Sequence, residues 1–561
     1  MNAPLTIRAL IDERAGQYPD KPFLLAAPED ADEVAVAAHR SMLTFAGLRD
    51  DCRAFETYFH EAGLRAGDVV SVYMGNGIHT ARLLLAAMYS GLVANPLNLL
   101  CQPSQLRYIV EHSDTRMIFV CEETQAAMSG ALAGLREQGV TRDIALVCTE
   151  PDAAVVAVPA PAPVGHACVE TAGDVQPASA SRATAWAGEA ATMGGAGPEN
   201  VALLMYTSGT TGAPKGVLLS GRNLFANARN ITREHRLGPD DRVLAALPLY
   251  HINGLVVTLL APLFHGGSVV MAPRFSARTF WRDVARHGCT WINVVPTIVA
   301  YLLNNEEPCA FDLSALKFCR SASAALPADH HRAFEARFGI GIIETMGMTE
   351  TAAPVFSNPY DSSCRKIGSI GLPSGGEAKV IDRDGGECPA NECGELVLRG
   401  EQVMGGYYKR PEETRAAFTA DGWLRTGDLG YRDEDGYFYI NGRAKELIIK
   451  GGENIAPREI DEALLKHPGV LDAAVVGVPD AAYGQEIVAF IVPRVAQGVE
   501  GVEGGDGACG VDGQGTPDVA DLREHCLREL GRYKTPKEFR FVAELPRGPS
   551  GKVQRLKLVP G

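Results

Sequence analysis

Tyr206 to Gly216 reads YTSGTTGAPKG, with one serine, three threonines, three glycines and one lysine in eleven residues. Glycines let backbone N–H groups come close to an anion, hydroxyls add donors and Lys215 adds positive charge, so the matching guest is a polyphosphate. Just upstream, 201–205 (VALLM) is a short apolar run that reads as a buried strand. A loop leaving such a strand lies where open α/β sheets bind ligands. The stretch is not a Walker A loop, because Ala213 and Pro214 separate Gly212 from Lys215.

Further residues able to do chemistry sit in five later segments: LPLYHINGL (247–255), ETMGMTE (344–350), WLRTGDLG (423–430), YFYINGRAKELIIKGGENIAPR (437–458) and LPRGPSGKVQR (545–555). Each has an ordinary structural account when taken alone. His251 could be a core histidine, Glu350 a helix cap, Asp428 a turn residue, Asn441-Gly442 a turn ending a hairpin strand and Lys552 a solvated lysine. In this order and spacing, together with YTSGTTGAPKG, they resemble the adenylate-forming superfamily. That superfamily includes acyl-CoA synthetases, peptide-synthetase adenylation domains and luciferases.

The resemblance implies a division of labour. Thr207, Ser208, Gly209, Thr210, Thr211, Gly212 and Lys215 would cradle the phosphates of ATP. Thr349 would donate to the α-phosphate, and Glu350 with Thr207 would hold Mg²⁺. Ser323, Ala324, Glu344, Thr345, Met346 and Gly347 would line the nucleotide, with Asp428, Ile440 and Arg443 at the ribose. Lys552 would be the catalytic lysine and Lys445 the hinge of a mobile C-terminal domain. Lys450, Gly451, Gly452 and Glu453 would meet coenzyme A. His251, Asn253, Val295, Thr297, Thr345 and Gly347 would form the acyl pocket, with His251 among the catalytic residues.

Some positions depart from the family pattern. Met346 replaces a tyrosine, Thr345 a glycine, and SASAAL (321–326) lacks the usual glycine and proline. The β-branched Thr345 adds bulk where an acyl chain would extend. Asn253 adds an amide that needs a partner once dry, which a polar tail could supply. Both features predict a short or polar-tailed acid.

The elements that position these groups follow the same reading. Strand patterns at 68–73 and 93–96 flank a helical pattern at 79–91, as in a parallel sheet, and 291–303 gives strand, Pro296, then helix. The resemblance implies an α/β N-terminal domain over 1–443, with two helix-flanked sheets and a small β-barrel. A smaller mobile α+β domain would cover 444–561. Two segments, 151–198 (rich in Ala, Pro, Gly and Ser) and 497–517 (Gly, Val and Asp), read as insertions, the second as a hairpin extension.

At 561 residues and 46% hydrophobic, the chain has the composition of a multi-domain soluble protein. A net charge of −15 with no long basic run argues against nucleic acid and anionic membranes as partners. The 13 cysteines make no CxxC pair, which predicts reduced thiols and a cytoplasmic protein. The first twenty residues read as an amphipathic helix rather than a signal peptide, and no apolar run is long enough to span a membrane. A homodimer is left open. Three readings compete at this stage: a ligase joining an acid to coenzyme A with ATP and Mg²⁺, an adenylation enzyme loading a separate acyl carrier protein, and a nucleotide-binding protein without activity. The Gly-Gly-Glu-Asn loop and the intact Glu350, Asp428 and Lys552 favour the first.

Overall fold

The computed structural model describes residues 6–27, 42–140, 142–153, 197–207, 213–305, 311–480, 482–494, 517–547 and 553–559. Both proposed insertions lie almost wholly outside the described residues.

Two large sheets carry the N-terminal part. In the seven-stranded sheet the order is Gly406–Tyr407, Lys215–Ser220, Val201–Thr207, Val93–Pro96, Val69–Tyr73, Thr115–Val120 and Ala145–Cys148. It is parallel from Val201–Thr207 onward, while the first two strands run antiparallel. A nine-stranded sheet has a parallel centre built from Ile342–Met348, Phe318–Ser321, Trp291–Val294, Arg242–Ala245, Ser268–Met271 and Pro22–Ala26. Antiparallel strands close both of its edges.

One large apolar core joins side chains from both sheets with the helices Phe45–Glu61, Ile78–Tyr89 and Gly221–Glu234. Every residue of Ile78–Tyr89 is buried, as expected of a helix enclosed on all sides. The strand and helix patterns at 68–73, 79–91 and 93–96 correspond to Val69–Tyr73, Ile78–Tyr89 and Val93–Pro96.

Where a small barrel is expected, four antiparallel strands form a separate sheet: Gly376–Ile381, Gly394–Gly400, Leu424–Arg432 and Phe438–Arg443. Asn441 and Gly442 do not end a hairpin. They stay in the last strand, Gly442 opposite Leu429, and a register shift at 429/430 absorbs the irregularity. The C-terminal α+β part has its own five-stranded sheet and the helices Pro457–Leu465 and Val519–Lys534, packed around a separate core. Among the described residues no helix is long and apolar enough to cross a membrane.

Candidate active site

The phosphate-loop flanks form a hairpin. Val201–Thr207 and Lys215–Ser220 pair antiparallel with Thr207 opposite Lys215. Ser208, Gly209, Thr210, Thr211 and Gly212 lie outside the described residues. The Lys215 ammonium sits 4.7 Å from the centre of the Tyr407 ring, and the Tyr407 hydroxyl donates to Glu350 Oε1 at 2.9 Å. Burial pushes the Tyr407 pKa upward, so the phenol remains a donor. Cation, phenol and carboxylate thus form a row beside the loop. Tyr407 carries no motif of its own; only the pairing of Gly406–Tyr407 with Lys215–Ser220 brings it here.

Glu350 lies in the single turn Thr349–Thr351, and its carbonyl accepts from Met404 N–H at 2.8 Å. Ala352 (φ 54°) and Ala353 (φ 106°) follow it with left-handed backbone. Such non-glycine conformations cost on the order of 1–3 kcal/mol each and concentrate at functional sites. Among the described residues no group of three potential metal ligands occurs. A lone carboxylate suits Mg²⁺, which is commonly held by one or two carboxylates plus substrate phosphates.

Asp428 and Arg443 face each other across two antiparallel strands, with Arg443 Nε 2.9 Å from Asp428 Oδ1. The neighbouring Ile440 carbonyl accepts from Arg458 Nη1 at 2.7 Å, which ties the helix Pro457–Leu465 to this sheet. Glu344 is buried, accepting from Leu326 N–H through Oε1 at 3.3 Å, while Oε2 has no partner among the described residues. Burial raises its carboxyl to about 7, against a smaller lowering by Arg458.

Met346 stands opposite Phe356 and packs on the main core. A Cβ at Gly347 would lie 2.0 Å from the Ala353 carbonyl oxygen, so the close approach of these two strands requires glycine. Ser323 has a left-handed φ of 74°, and both Ser323 and Ala324 are half-buried.

On the expected acyl side, the structure brings Asn253 and Ser323 together. Asn253 begins a wide-turn helical segment, Asn253–Leu260, of a kind often found at functional sites. Its amide is already satisfied from within. It donates to Ser323 Oγ at 3.1 Å and accepts from Arg320 Nη1 at 2.8 Å and Asn293 Nδ2 at 3.2 Å. The partners that Asn253 requires once dry are thus present within the protein. Thr345 is buried, and its hydroxyl lies 3.4 Å from the Ser321 carbonyl. His251 meets Tyr250 edge-on at 4.8 Å between ring centres. Val295 and Thr297 flank Pro296 at the start of the helix Pro296–Asn304. Arg320 and Asn293 went unremarked in the sequence, since neither belongs to a motif.

In the C-terminal part, Lys445 is exposed between Phe438–Arg443 and Ile448–Lys450. Gly451 and Gly452, both left-handed, make the two-residue turn of the hairpin in which Lys450 pairs with Glu453. The Lys450 side chain is buried against Glu486 and donates to the Tyr533 carbonyl at 3.2 Å. The ammonium is engaged inside the C-terminal part, while Gly451, Gly452 and Glu453 are exposed. Lys552 lies outside the described residues. The chain on either side pairs, with Arg547 opposite Val553 and Gln554 N–H on the Pro546 carbonyl at 2.7 Å.

The hairpin of Val201–Thr207 and Lys215–Ser220, Glu350, the Asp428–Arg443 pair and the C-terminal α+β part occupy the segments whose motifs resemble the adenylate-forming superfamily. The chain belongs to the AMP-binding enzyme family: residues 11–408 match the family itself and 459–552 match the AMP-binding enzyme C-terminal domain. It is 60% identical over 554 residues to a sulfoacetate–CoA ligase of Cupriavidus necator, covering 99% of this chain and 97% of that protein. An oxalate–CoA ligase of Arabidopsis thaliana is 32% identical over 560 residues, covering 98% and 97%. Among solved structures, ATP-bound MatB from Rhodopseudomonas palustris aligns with a TM-score of 0.79 at 30% identity, covering 99% and 98% of the two chains. An anthranilate CoA ligase in complex with anthranoyl-AMP aligns with a TM-score of 0.81 at 25% identity, covering 99% and 97%. The protein is an ATP-binding acid–thiol ligase. It activates a carboxylic acid as acyl-AMP with release of pyrophosphate, then transfers the acyl group to coenzyme A, releasing AMP.

Proposed function

We propose that the acid is a short one with a polar tail, sulfoacetate being the first candidate. The observation that carries this is a cluster of polar side chains where the acyl group is expected, Asn253 bonded to Ser323 and Asn293, with Thr345 buried on a nearby strand. The activities named for two relatives, on sulfoacetate and on oxalate, agree in chain length and polarity.

The roles of the residues follow from the charges to be offset. A carboxylate must attack the α-phosphate of ATP against charge repulsion. Thr207, Lys215 and the loop between them hold the phosphates. Thr349 donates to the α-phosphate, and Asp428 with Arg443 orients the ribose. Glu350, free of any cationic side chain among the described residues, holds Mg²⁺ with the nucleotide's own phosphates; that ion supplies positive charge at the phosphates. Lys552 adds a second positive charge at the reacting oxygens. The polypeptide divides at Lys445 into parts 1–443 and 444–561. Rotation there withdraws Lys552 and brings Gly451–Gly452 to the acyl-AMP, where bare glycine backbone leaves room for the pantetheine arm. The ten described cysteines are all free, which fits a reducing cytoplasm.

Pyrophosphate release and thioester formation, measured over a chain-length series in wild type and Thr345→Gly, test this reading. Wild type should prefer the shorter polar acids, and the glycine variant should shift its optimum longer. A wild-type preference for acids of about twelve carbons, the length that needs a through-going apolar pocket, contradicts it. Faster transfer to an acyl carrier protein than to coenzyme A contradicts the choice of thiol.

A further inference from the structure

Among the described residues, Arg320 is a buried cation without an anion. It lies in the strand Phe318–Ser321, directly opposite Asn293 across the sheet, and is 1% exposed. Its Nη1 donates to the amide oxygens of Asn253 at 2.8 Å and Asn293 at 2.6 Å, both neutral acceptors. Nε has no partner, and among the described residues no carboxylate pairs with the guanidinium. The nearby His235, stacked on Phe318 at 5.2 Å, supplies no charge: burial and Arg320 hold its pKa down to about 3. Burial likewise pulls the Arg320 pKa down to about 9, still cationic at neutral pH.

Burying a charge is costly unless it is paired, and an arginine buried only for packing would be better served by an apolar side chain of similar size. Asn253, which Arg320 holds, is hydrogen-bonded in turn to Ser323, and Arg320 pairs across the sheet with Ile343, two residues before Thr345. A planar guanidinium with unused donors matches the paired oxygens of a carboxylate or sulfonate.

We infer that Arg320, held by Asn253 and Asn293, receives a second anionic group at the far end of the acid, so that the ligase selects short acids carrying a terminal carboxylate or sulfonate. This rests on the reading of the acyl side given above. The substrate tail completes the ion pair that the fold leaves open. A neutral tail of the same shape desolvates the guanidinium without compensating it and is rejected.

The test compares kcat/KM within charge-differing pairs of similar shape: sulfoacetate against methylsulfonylacetate, and malonate against acetoacetate. Each ratio is measured on one enzyme preparation, so the active fraction cancels. Two variants are used. Arg320→Met removes the charge. Asn253→Asp supplies a resident carboxylate where Arg320 Nη1 now meets an amide oxygen, and so fills the vacancy from within the protein. In wild type at least one anionic acid should be favoured over its neutral partner, and which pair shows it distinguishes sulfonate from carboxylate. In both variants that preference should fall on the order of 10²-fold, as for other buried charge pairs, and Asn253→Asp should melt at a higher temperature than wild type. Should Arg320→Met fail to fold, Asn253→Asp decides alone. An anionic preference in wild type that either active variant keeps overturns the role of Arg320. Wild type preferring short polar acids without regard to tail charge also overturns it and leaves the proposed function standing, whereas a wild-type preference for long apolar acids refutes both.

Discussion

Glu344 shows how a single residue ties the site to pH. Its carboxyl is raised to about 7 by burial, so the folded state holds a proton that the unfolded chain releases near 4.5. A raised pKa of this kind favours the fold fully below about 4.5. The advantage is lost as pH rises through 7, at a cost on the order of 3 kcal/mol. Glu344→Gln should remove this dependence. Its melting temperature relative to wild type should rise between pH 5 and pH 8, and a difference that stays constant would show that Glu344 does not titrate in this range. At this scale the motifs made Asp428 and Arg443 legible as candidates but not as partners: they meet at 2.9 Å because strand register puts them opposite each other. Tyr407 and Arg320 were not legible. Tyr407 reaches Glu350 across 57 positions of chain, and Arg320 looks like any polar residue in a short strand until its burial and missing counter-ion are seen.

The elements proposed to surround the nucleotide are held in conformations that the sequence does not announce. Left-handed backbone at Ser323, Ala352 and Ala353, without glycine at any of them, brackets the strand Ile342–Met348 on both sides. That strand can lie against Ala353–Ser357 only because position 347 has no side chain. Gly347→Ala should therefore force the two strands apart. We expect a loss of about 2 kcal/mol or more, typical of overpacking, together with weakened ATP binding, measured by thermal melting and by nucleotide titration. A variant as stable as wild type with normal ATP affinity would show that the strands can shift freely. Some strands and helices were readable from apolar pattern and punctuation, as at Val69–Tyr73 and Val93–Pro96. Asn441-Gly442 misled because its strong turn preference is overridden by pairing with Leu424–Arg432. The wide-turn segment Asn253–Leu260 was hidden for another reason: NGLVVTLL is apolar apart from Asn253 and Thr258 and shows no helical period.

At the scale of the whole molecule, the two half-reactions should separate genetically. Lys552→Ala should slow acyl-AMP formation on the order of 10²–10³-fold, typical of losing one preorganised charge donor, while sparing transfer from presynthesised acyl-AMP to coenzyme A. Lys445→Pro fixes φ where rotation is needed, so it should do the reverse. Single-turnover assays of each step check both, and equal losses in the two steps would contradict a hinge at Lys445. The order of motifs along the chain made this two-part arrangement legible, whereas pocket chemistry was not, because it depends on contacts between strands far apart in sequence. The central claim is that a ligase of this family is tuned to short acids with a polar, charged tail. The most direct measurement is a competition in one vessel, with sulfoacetate, oxalate, malonate, propionate and dodecanoate at equal concentration, ATP, Mg²⁺ and limiting coenzyme A, and the thioesters counted by mass spectrometry. The thioester of a short two-anion acid, sulfoacetate first, should exceed those of propionate and dodecanoate on the order of 10²-fold; a product pool dominated by propionyl-CoA or dodecanoyl-CoA would contradict the account.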